Sequence, residues 1–362
     1  MNPKDTTLFV TGASGFVASQ LVRLLLEQGY RVRGSVRDPD KAKELGALPG
    51  ASGPGGRLEL VKADLLTPGA FDEPLKGCAG VMHTASPYVL TVKDPQKELV
   101  EPAERGTLNV LEAARKAGVK RVVLTSSMAA VTDEPDKDKV LSEKDWNTRS
   151  SLTRNPYYFS KVRGERVAWD FMEKERPGFS LVVINPFLVI GPSLVPSINT
   201  SNQIFVDMIT GKYPGVVALS WGIVDVRDVA LAHLLAMTTP RAKGRYVCAA
   251  GTMSMREVVE ALLARGYGDK FPRLAKLGRR RLDGAVGSLL VRLGSFTQPK
   301  GARSYLKTHL GRVPRFDNGK IKSELGLTFR PLAQTLADTV DDLARWGHVT
   351  PRADDEAAQG AA

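Results

Sequence analysis

The chain has 362 residues, of which 43% are hydrophobic and 25% are charged, and its formal net charge at pH 7 is +12. This composition is typical of a globular protein and argues against intrinsic disorder. The two cysteines are too few for a secreted disulfide framework, and the four histidines are too scattered to form a metal site. We expect a cytoplasmic protein with no metal, no signal peptide and no membrane span.

The positive charge is concentrated in one stretch of the chain. Thirteen Lys and Arg residues lie between Arg265 and Arg315, against two acidic residues, Asp269 and Asp283. Such a segment suits an anionic partner such as nucleic acid, a membrane surface or an acidic ligand. Because few aromatic residues interleave the charges and no nucleic-acid motif is present, a solvated basic face is favoured and nucleic acid is a disfavoured partner.

Strand-like apolar runs alternate with helical runs up to residue 186. The predicted strands are 6–11, 30–36, 58–65, 80–86, 121–127 and 179–186. The predicted helices are 16–27, a polar helix after Asp38, 106–118 and 157–175. This order predicts an α/β fold with a doubly wound parallel (Rossmann) sheet. After Pro186 the alternation ends in Pro- and Gly-rich turns, and helices dominate the rest of the chain.

The turn between the first strand and the first helix, 11–18, has the spacing G-x-x-G-x-x-A. Gly12 permits a tight turn, and Gly15 lets backbone N–H groups approach a pyrophosphate at the helix N-terminus. Ala18 keeps the helix close to the strand. Alone, the spacing also fits an ordinary tight turn, but at the start of six strand–helix units it predicts a dinucleotide site.

Tyr157 and Lys161 are four residues apart on a predicted helix and therefore share a face. A lysine ammonium beside the phenol favours loss of the phenolic proton, so Tyr157 can protonate a carbonyl oxygen while hydride reaches the carbon. Ser127 follows the fifth strand, where parallel sheets bind their ligands, and can orient the same carbonyl. Alone, a Tyr-x-x-x-Lys pair more often belongs to a surface helix, and Tyr158 has no lysine four residues on.

The chain resembles extended short-chain dehydrogenases/reductases of the dihydroflavonol 4-reductase and cinnamoyl-CoA reductase-like group. The resemblance covers nearly the whole chain and is carried by TGASGFVA (11–18), VRDP (36–39), KADLL (62–66), HTASP (83–87), RVVLTSS (121–127), YYFSK (157–161), NPFLVIGP (185–192), DVRDVALAH (225–233) and FDNGKIKSELG (316–326). It implies that Ser127, Tyr157 and Lys161 are the catalytic residues.

The resemblance also implies a cofactor site and a division into domains. The cofactor-binding residues would be Thr11, Gly12, Ser14, Gly15, Phe16, Val17, Arg37, Lys41, Asp64, Leu65, Thr84, Ala85, Ser86, Tyr157, Lys161, Pro186 and Val189. A dinucleotide-binding domain over 1–186 would be completed by about 223–250. A smaller, interleaved substrate domain with a C-terminal helix would occupy mainly 187–350, from about 187–222 and 252–330. Residues 351–362 would form a flexible tail.

Two departures from the family bear on the substrate. The cinnamoyl-CoA reductases have Asn-Trp-Tyr-Cys-Tyr-Ala-Lys around the tyrosine, whereas this chain has Asn-Pro-Tyr-Tyr-Phe-Ser-Lys over 155–161. This difference argues against a CoA thioester. The plant dihydroflavonol reductases have an asparagine five residues after the catalytic serine, where this chain has Thr132, which argues against a flavonoid.

The end of the second strand predicts the cofactor. An NAD enzyme usually places an acid there, but residues 31–36 contain none and Arg37 follows. A guanidinium can hold a 2′-phosphate through two hydrogen bonds, and Lys41 adds a second charge. Asp38, before Pro39, fits better as the cap of the next helix. NADP(H) is therefore expected, with NAD(H) possible.

These residues together predict an NADPH-dependent reductase, or reversible dehydrogenase, that converts an aldehyde or ketone to an alcohol. Its partner would be a small carbonyl or alcohol substrate, and the protein would be a monomer or homodimer. Two alternatives stay open. One is a nucleotide-sugar or related epimerase or dehydratase of the same fold. The other is a non-catalytic dinucleotide sensor.

Overall fold

The computed structural model describes residues 2–86, 92–136, 138–297 and 300–352, without the side chains of Lys41 and Lys300. The strands are β1 (Thr7–Thr11), β2 (Arg31–Val36), β3 (Leu58–Lys62), β4 (Gly80–His83), β5 (Arg121–Thr125), β6 (Val140–Leu141), β7 (Ser180–Pro186), β8 (Leu188–Ile190), β9 (Val216–Val217), β10 (Ser220–Asp225), β11 (Gly244–Cys248), β12 (Gly251–Ser254), β13 (Arg281–Leu282) and β14 (Arg315–Phe316). Most of the expected tail, from residue 353, lies outside the described residues.

The helices alternate with these strands in the first half and dominate the second. They are α1 (Phe16–Glu27), α2 (Lys43–Gly46), α3 (Glu101–Ala117), α4 (Pro156–Glu175), α5 (Thr200–Ile209), α6 (Val226–Thr238), α7 (Met255–Leu263), α8 (Tyr267–Lys270), α9 (Pro272–Arg279), α10 (Ala285–Gly294), α11 (Lys300–His309), α12 (Gly319–Leu325) and α13 (Leu332–Arg345).

Seven strands form one parallel sheet in the order β3-β2-β1-β4-β5-β7-β11. The chain builds outward from β1 to β3, then crosses back and continues from β4 on the other side. This reversal between β1 and β4 opens a crevice at the carboxyl ends of the strands, where doubly wound sheets bind their ligands. The expected fold class is therefore confirmed. The edge strand β11 is the return to the sheet expected within 223–250.

Two helices differ from the sequence prediction. The polar helix expected after Asp38 is only a 3-10 turn over 39–42 followed by the single turn α2. Asp38 does cap it, because its carboxylate accepts a hydrogen bond from the backbone N–H of Asp40 at 3.1 Å. The helix expected from residue 106 begins at Glu101, directly after a π-helical turn over 96–100.

A second hydrophobic core lies beyond the main sheet. Here β10 pairs with β8 in parallel and with β12 in antiparallel register. Helices α5, α7, α9 and α13 contribute buried residues such as Phe205, Leu262, Leu274 and Leu336 to this core. These four helices thus bury their apolar faces in a core separate from that of the main sheet. The proposed domain boundaries stay a prediction.

Candidate active site

The turn between β1 and α1 is shaped for close approach of a ligand to the backbone. Gly12 has φ +63°, and a Cβ placed on it would lie 3.0 Å from the Cβ of Ala85. Gly15 is the N-cap of α1 and forms no side-chain cap, and its own Cβ would lie 3.1 Å from the carbonyl oxygen of Gly12. The first residues of α1, 16–18, line the cavity, so the uncapped helix N-terminus faces it, as an anion site requires.

Thr11 forms hydrogen bonds to the neighbouring loop at residues 84–86. Its hydroxyl oxygen accepts hydrogen bonds from the backbone N–H groups of Thr84 and Ala85, at 3.0 and 2.9 Å. It lies 2.9 Å from Nδ1 of His83, to which it donates its own proton. Burial lowers the pKa of His83 to about 3, so this ring stays neutral and accepts that proton. Thr11 thus positions the 84–86 loop rather than lining the cavity.

Arg37 and Asp64 follow β2 and β3 and line the same cavity as the glycine turn. The Arg37 side chain is exposed, and within the described part of the chain it forms no ion pair. The carboxylate of Asp64 accepts a hydrogen bond from the N–H of Leu66 at 2.8 Å. The cavity is also lined by the expected cofactor residues Ser14, Phe16, Val17, Leu65, Thr84, Ala85, Ser86, Pro186 and Val189. The Lys41 side chain is not among the described ones.

Ser127, Tyr157 and Lys161 line this cavity as well. Ser127 caps a 3-10 turn after β5, and its Oγ accepts a hydrogen bond from the N–H of Ala129 at 3.1 Å. The Lys161 ammonium lies 5.5 Å from the centre of the Tyr157 ring and donates to Oγ of Ser86 at 2.7 Å. Burial lowers the pKa of Lys161 to about 8. The structure thus brings all three predicted catalytic residues to one side of the glycine turn.

A buried carboxylate, which the sequence analysis missed, connects α4 to the segment between β5 and Ser127. Glu165 lies one turn beyond Lys161 and accepts hydrogen bonds from Oγ of Ser126 at 2.5 Å and from Nδ2 of Asn185 at 2.8 Å. Asn185 also donates to the carbonyl oxygen of Ser127, at 3.2 Å. Arg245 pairs with the Glu165 carboxylate at 2.6 Å and balances its charge.

Asn155 fixes the start of the helix that carries Tyr157 and Lys161. It adopts the left-handed conformation, with φ 47°, which asparagine tolerates better than most residues. Its buried side chain donates to Asp133 at 2.8 Å and accepts from Oγ of Ser304 at 2.8 Å. Contacts from two distant segments therefore set the direction in which α4 begins.

The cavity extends beyond Tyr157 and has a volume of about 2420 Å³. This exceeds the usual volume of a site for one small ligand and can accommodate a dinucleotide together with a substrate. We call the part beyond Tyr157 the far half. Its lining includes the aromatic and aliphatic side chains of Tyr158, Phe187, Trp221, Leu290, Val291 and Tyr305, together with His309 and polar residues such as Ser197, Asn199, Asp207 and Lys212. The aromatic and aliphatic side chains are suited to contact an apolar or aromatic molecule.

Tyr158 and His309 form a polar pair in this far half. The Tyr158 hydroxyl lies 3.2 Å from Nε2 of His309. Nδ1 of His309 lies 2.8 Å from Oγ1 of Thr308 and 3.3 Å from the carbonyl oxygen of Tyr305. Burial lowers the pKa of His309 to about 4, so the ring is neutral. No local pattern points to this pair, because its members are 151 residues apart.

A family model described as "NAD dependent epimerase/dehydratase family" matches residues 8–249. The chain belongs to this family. Cinnamoyl-CoA reductase 1 of Petunia hybrida is 40% identical over 344 residues, which cover 94% of this chain and 92% of that protein. Tetraketide alpha-pyrone reductase 1 of Arabidopsis thaliana is 36% identical over 351 residues, which cover 94% of this chain and 96% of that protein.

A solved structure of similar fold is that of yeast methylglyoxal/isovaleraldehyde reductase in complex with NADPH. It matches with a TM-score of 0.77 and 30% identity, over 95% of this chain and 100% of that chain. Within the family, these relatives confirm the resemblance to the reductase group, the expected carbonyl-reducing activity and NADP(H) as the cofactor. They do not support the epimerase or sensor alternatives.

None of the helices in the described part of the chain is both long and apolar enough to cross a membrane. In the same part of the chain, no three His, Cys, Asp or Glu side chains are grouped so that they could hold a metal ion.

Proposed function

We propose that this family member reduces an apolar or aromatic aldehyde or ketone with NADPH, using Tyr157 as the proton donor. The observation that carries the proposal is the placement of Ser127, Tyr157 and Lys161 in one cavity with the N-terminus of α1. A Tyr-x-x-x-Lys pair on an ordinary surface helix would not be expected to line one cavity together with a glycine turn and a serine near a strand end. The domain division 1–186 and 187–350 is part of the same proposal.

The residues of the cavity fit an NADP(H) molecule. The turn from Gly12 to Gly15 and the first residues of α1 line the cavity, so a pyrophosphate can approach the N–H groups of α1. Arg37 would hold the 2′-phosphate, and Asp64, the 84–86 loop, Pro186 and Val189 would surround the rest of the cofactor. When bound, NADPH supplies the hydride that reduces the carbonyl carbon.

Three side chains would then donate the proton, stabilise the resulting negative charge and hold the carbonyl oxygen. Tyr157 donates its phenolic proton to the oxygen as the C=O bond becomes C–OH, which leaves a phenolate. The Lys161 ammonium stabilises that negative charge. Because Oγ of Ser127 accepts from the N–H of Ala129, its own O–H can donate to the substrate oxygen and hold it in place.

The nature of the far half of the cavity narrows the substrate class. Its lining includes several aromatic and aliphatic side chains, its charged residues Asp207 and Lys212 pair with each other at 2.9 Å, and the His309 ring is neutral. These features favour an uncharged, partly aromatic carbonyl compound over a sugar nucleotide. The motif around Tyr157 and the threonine at 132 argue against a CoA thioester and a flavonoid, respectively. We further propose a cytoplasmic monomer or homodimer, consistent with two buried, unbridged cysteines.

A substrate panel tests this function. The purified full chain is mixed with NADPH and with aliphatic aldehydes, aromatic aldehydes, ketones or cinnamoyl-CoA, and the loss of NADPH absorbance is followed. We expect turnover with an aromatic aldehyde or ketone, with one alcohol formed for each NADPH consumed. Turnover with the CoA thioester alone would overturn the substrate class. Tightly bound NAD that persists through purification, with no net NADPH consumption, would contradict the reductase activity itself.

A further inference from the structure

Helix α10 (Ala285–Gly294) presents an apolar stripe to solvent. We define the α10 stripe as Val286, Leu289, Leu290, Leu293 and Phe296, whose exposed fractions are 74, 57, 57, 59 and 64%. These are five of the nine large hydrophobic side chains that are exposed in the described part of the chain. The i, i+3, i+4, i+7 spacing normally marks the buried face of a surface helix, but here it faces outward.

The inner side of α10 fixes this orientation. Gly287 is buried, and a Cβ on it would lie 2.4 Å from the Cα of Leu282 in β13. No residue with a side chain fits at that contact, so the helix cannot rotate to turn the stripe inward without displacing the backbone of β13. Val291 and Gly294 on the same inner side line the active-site cavity. Of the stripe residues Leu290 also lines the cavity, whereas Val286, Leu289, Leu293 and Phe296 do not and form the outer surface of this cavity wall.

Exposed basic side chains lie on α10 itself and in the segments directly before and after it. Arg279, Arg280, Arg292, Arg303 and Lys307 are exposed, and none of them forms an ion pair with a carboxylate in the described ranges of the chain. The Arg303 guanidinium lies 4.2 Å from the centre of the Phe296 ring, so a positive charge adjoins the apolar surface directly. The nearest acidic residue in sequence, Asp283, is paired with Arg256 at 2.6 Å.

We propose that the α10 stripe docks on the surface of an anionic lipid membrane. Apolar side chains at helical spacing enter the boundary between headgroups and acyl chains, while flanking arginines bind lipid phosphates. A nucleic acid would use the charges but leave five large apolar side chains in water. A second copy joined through a two-fold interface would set the same basic residues against each other. Surface docking requires no membrane-spanning helix.

Sedimentation of the full chain with vesicles tests the docking. Vesicles of phosphatidylcholine alone are compared with vesicles of phosphatidylcholine mixed with phosphatidylglycerol, at low and physiological salt. We expect strong binding to the mixed vesicles, weak binding to the neutral ones, and weakening by salt. Absence of binding to both kinds of vesicle would overturn the proposal.

Variants separate the apolar and the charged contributions. Leu289→Ser/Leu293→Ser removes two stripe residues that do not line the cavity, and Arg279→Ser/Arg280→Ser removes two charges. Each double variant should lower the partition coefficient for mixed vesicles by about tenfold or more. Val140→Ser, which changes a valine 56% exposed on β6, is the matched control and should bind like the wild type. Thermal unfolding checks that all variants fold.

Three outcomes would assign the α10 stripe differently. If the leucine variant bound vesicles like the wild type, the apolar contact would be refuted. If the wild type were a dimer without vesicles, and the leucine variant a monomer, the stripe would belong to a second copy of the chain. Salt-sensitive binding of duplex DNA that excludes vesicles and is unaffected by the leucine substitutions would assign the face to nucleic acid.

Discussion

Arg37 is the residue that we expect to select NADPH over NADH. It lies exposed at the cavity after β2, while the neighbouring Asp38 is engaged in capping its own turn. Arg37→Ala should raise the KM for NADPH roughly ten- to a hundred-fold, because a charge-assisted hydrogen bond contributes ~1.5–3 kcal/mol. The KM for NADH should change little. Steady-state kinetics with both cofactors measures this.

Arg31 is the control for that experiment. It is an exposed arginine at the start of the same strand, outside the residues that line the cavity. Arg31→Ala should leave both KM values unchanged. An equal loss with NADPH and NADH in the Arg37 variant would refute recognition of the 2′-phosphate by this side chain.

The protonation of Lys161 predicts a pH dependence. Burial lowers its pKa to about 8, so the ammonium is present below that pH and is lost above it. The neighbouring groups are the hydroxyl of Ser86, the Tyr157 ring and the neutral His83. We expect kcat/KM for carbonyl reduction to fall as the pH rises through about 8. The Lys161→Arg variant stays charged, so its kcat/KM should not fall over this pH range, whatever its absolute value. A flat pH profile of kcat/KM for the wild type would disprove the assignment.

Ser126 tests whether the Glu165 network positions Ser127, the predicted catalytic serine. Ser126→Ala removes the hydrogen bond to Glu165 and leaves the Glu165–Arg245 ion pair intact. Because Ser127 would be held less firmly, kcat should fall about tenfold while the Kd for NADPH stays the same. Ser323→Ala, which removes a hydroxyl bonded to the carbonyl of Lys320 on α12, is the control and should leave kcat unaltered. A loss of stability with unchanged kcat would show a structural role only.

At the scale of elements, the turn before α1 can be tested against an equivalent turn elsewhere. Gly12 and Gly118 both have positive φ, +63° and +68°, but only at Gly12 would a Cβ meet another atom within 4 Å. Both alanine variants should lose about 1–2 kcal/mol of stability from the left-handed conformation. Only Gly12→Ala should also raise the Kd for NADPH, by about tenfold or more, because the 84–86 loop must move. Thermal unfolding and fluorescence titration measure the two effects, and weaker NADPH binding by Gly118→Ala would contradict this account.

The ends of a helix or strand were predicted accurately where neighbouring residues in the sequence mark them. Helix α1 begins and ends at the predicted residues, 16 and 27, because its apolar spacing starts after Gly15 and stops before Gly29. Strands β3 and β4 end three residues before the predicted positions, 65 and 86. The residues beyond those strand ends, 63–65 and 84–86, form loops that line the cavity. The start of α3 was missed because its first turn is rich in charge.

For the molecule as a whole, the topology of the sheet was predictable from the sequence, whereas the side-chain pairs that join distant segments around the cavity were not. Alternating strands and helices admit few topologies, so the doubly wound sheet followed from the pattern. The pairs Glu165–Arg245 and Tyr158–His309 are 80 and 151 residues apart, and no local periodicity joins them. The outward face of α10 was also unpredictable, since the same spacing describes a helix that buries its apolar stripe.

The central claim is that Tyr157 is the proton donor of an NADPH-dependent carbonyl reductase. Its most direct test is single-turnover and steady-state reduction of the best panel substrate by Tyr157→Phe, with the Kd for NADPH measured in parallel. We predict a loss of about 10²–10⁴-fold in kcat with an unchanged Kd, because the phenol supplies a proton and little cofactor affinity. Tyr158→Phe should lose far less. Near-wild-type kcat in Tyr157→Phe, or a larger loss in Tyr158→Phe, would contradict the assignment.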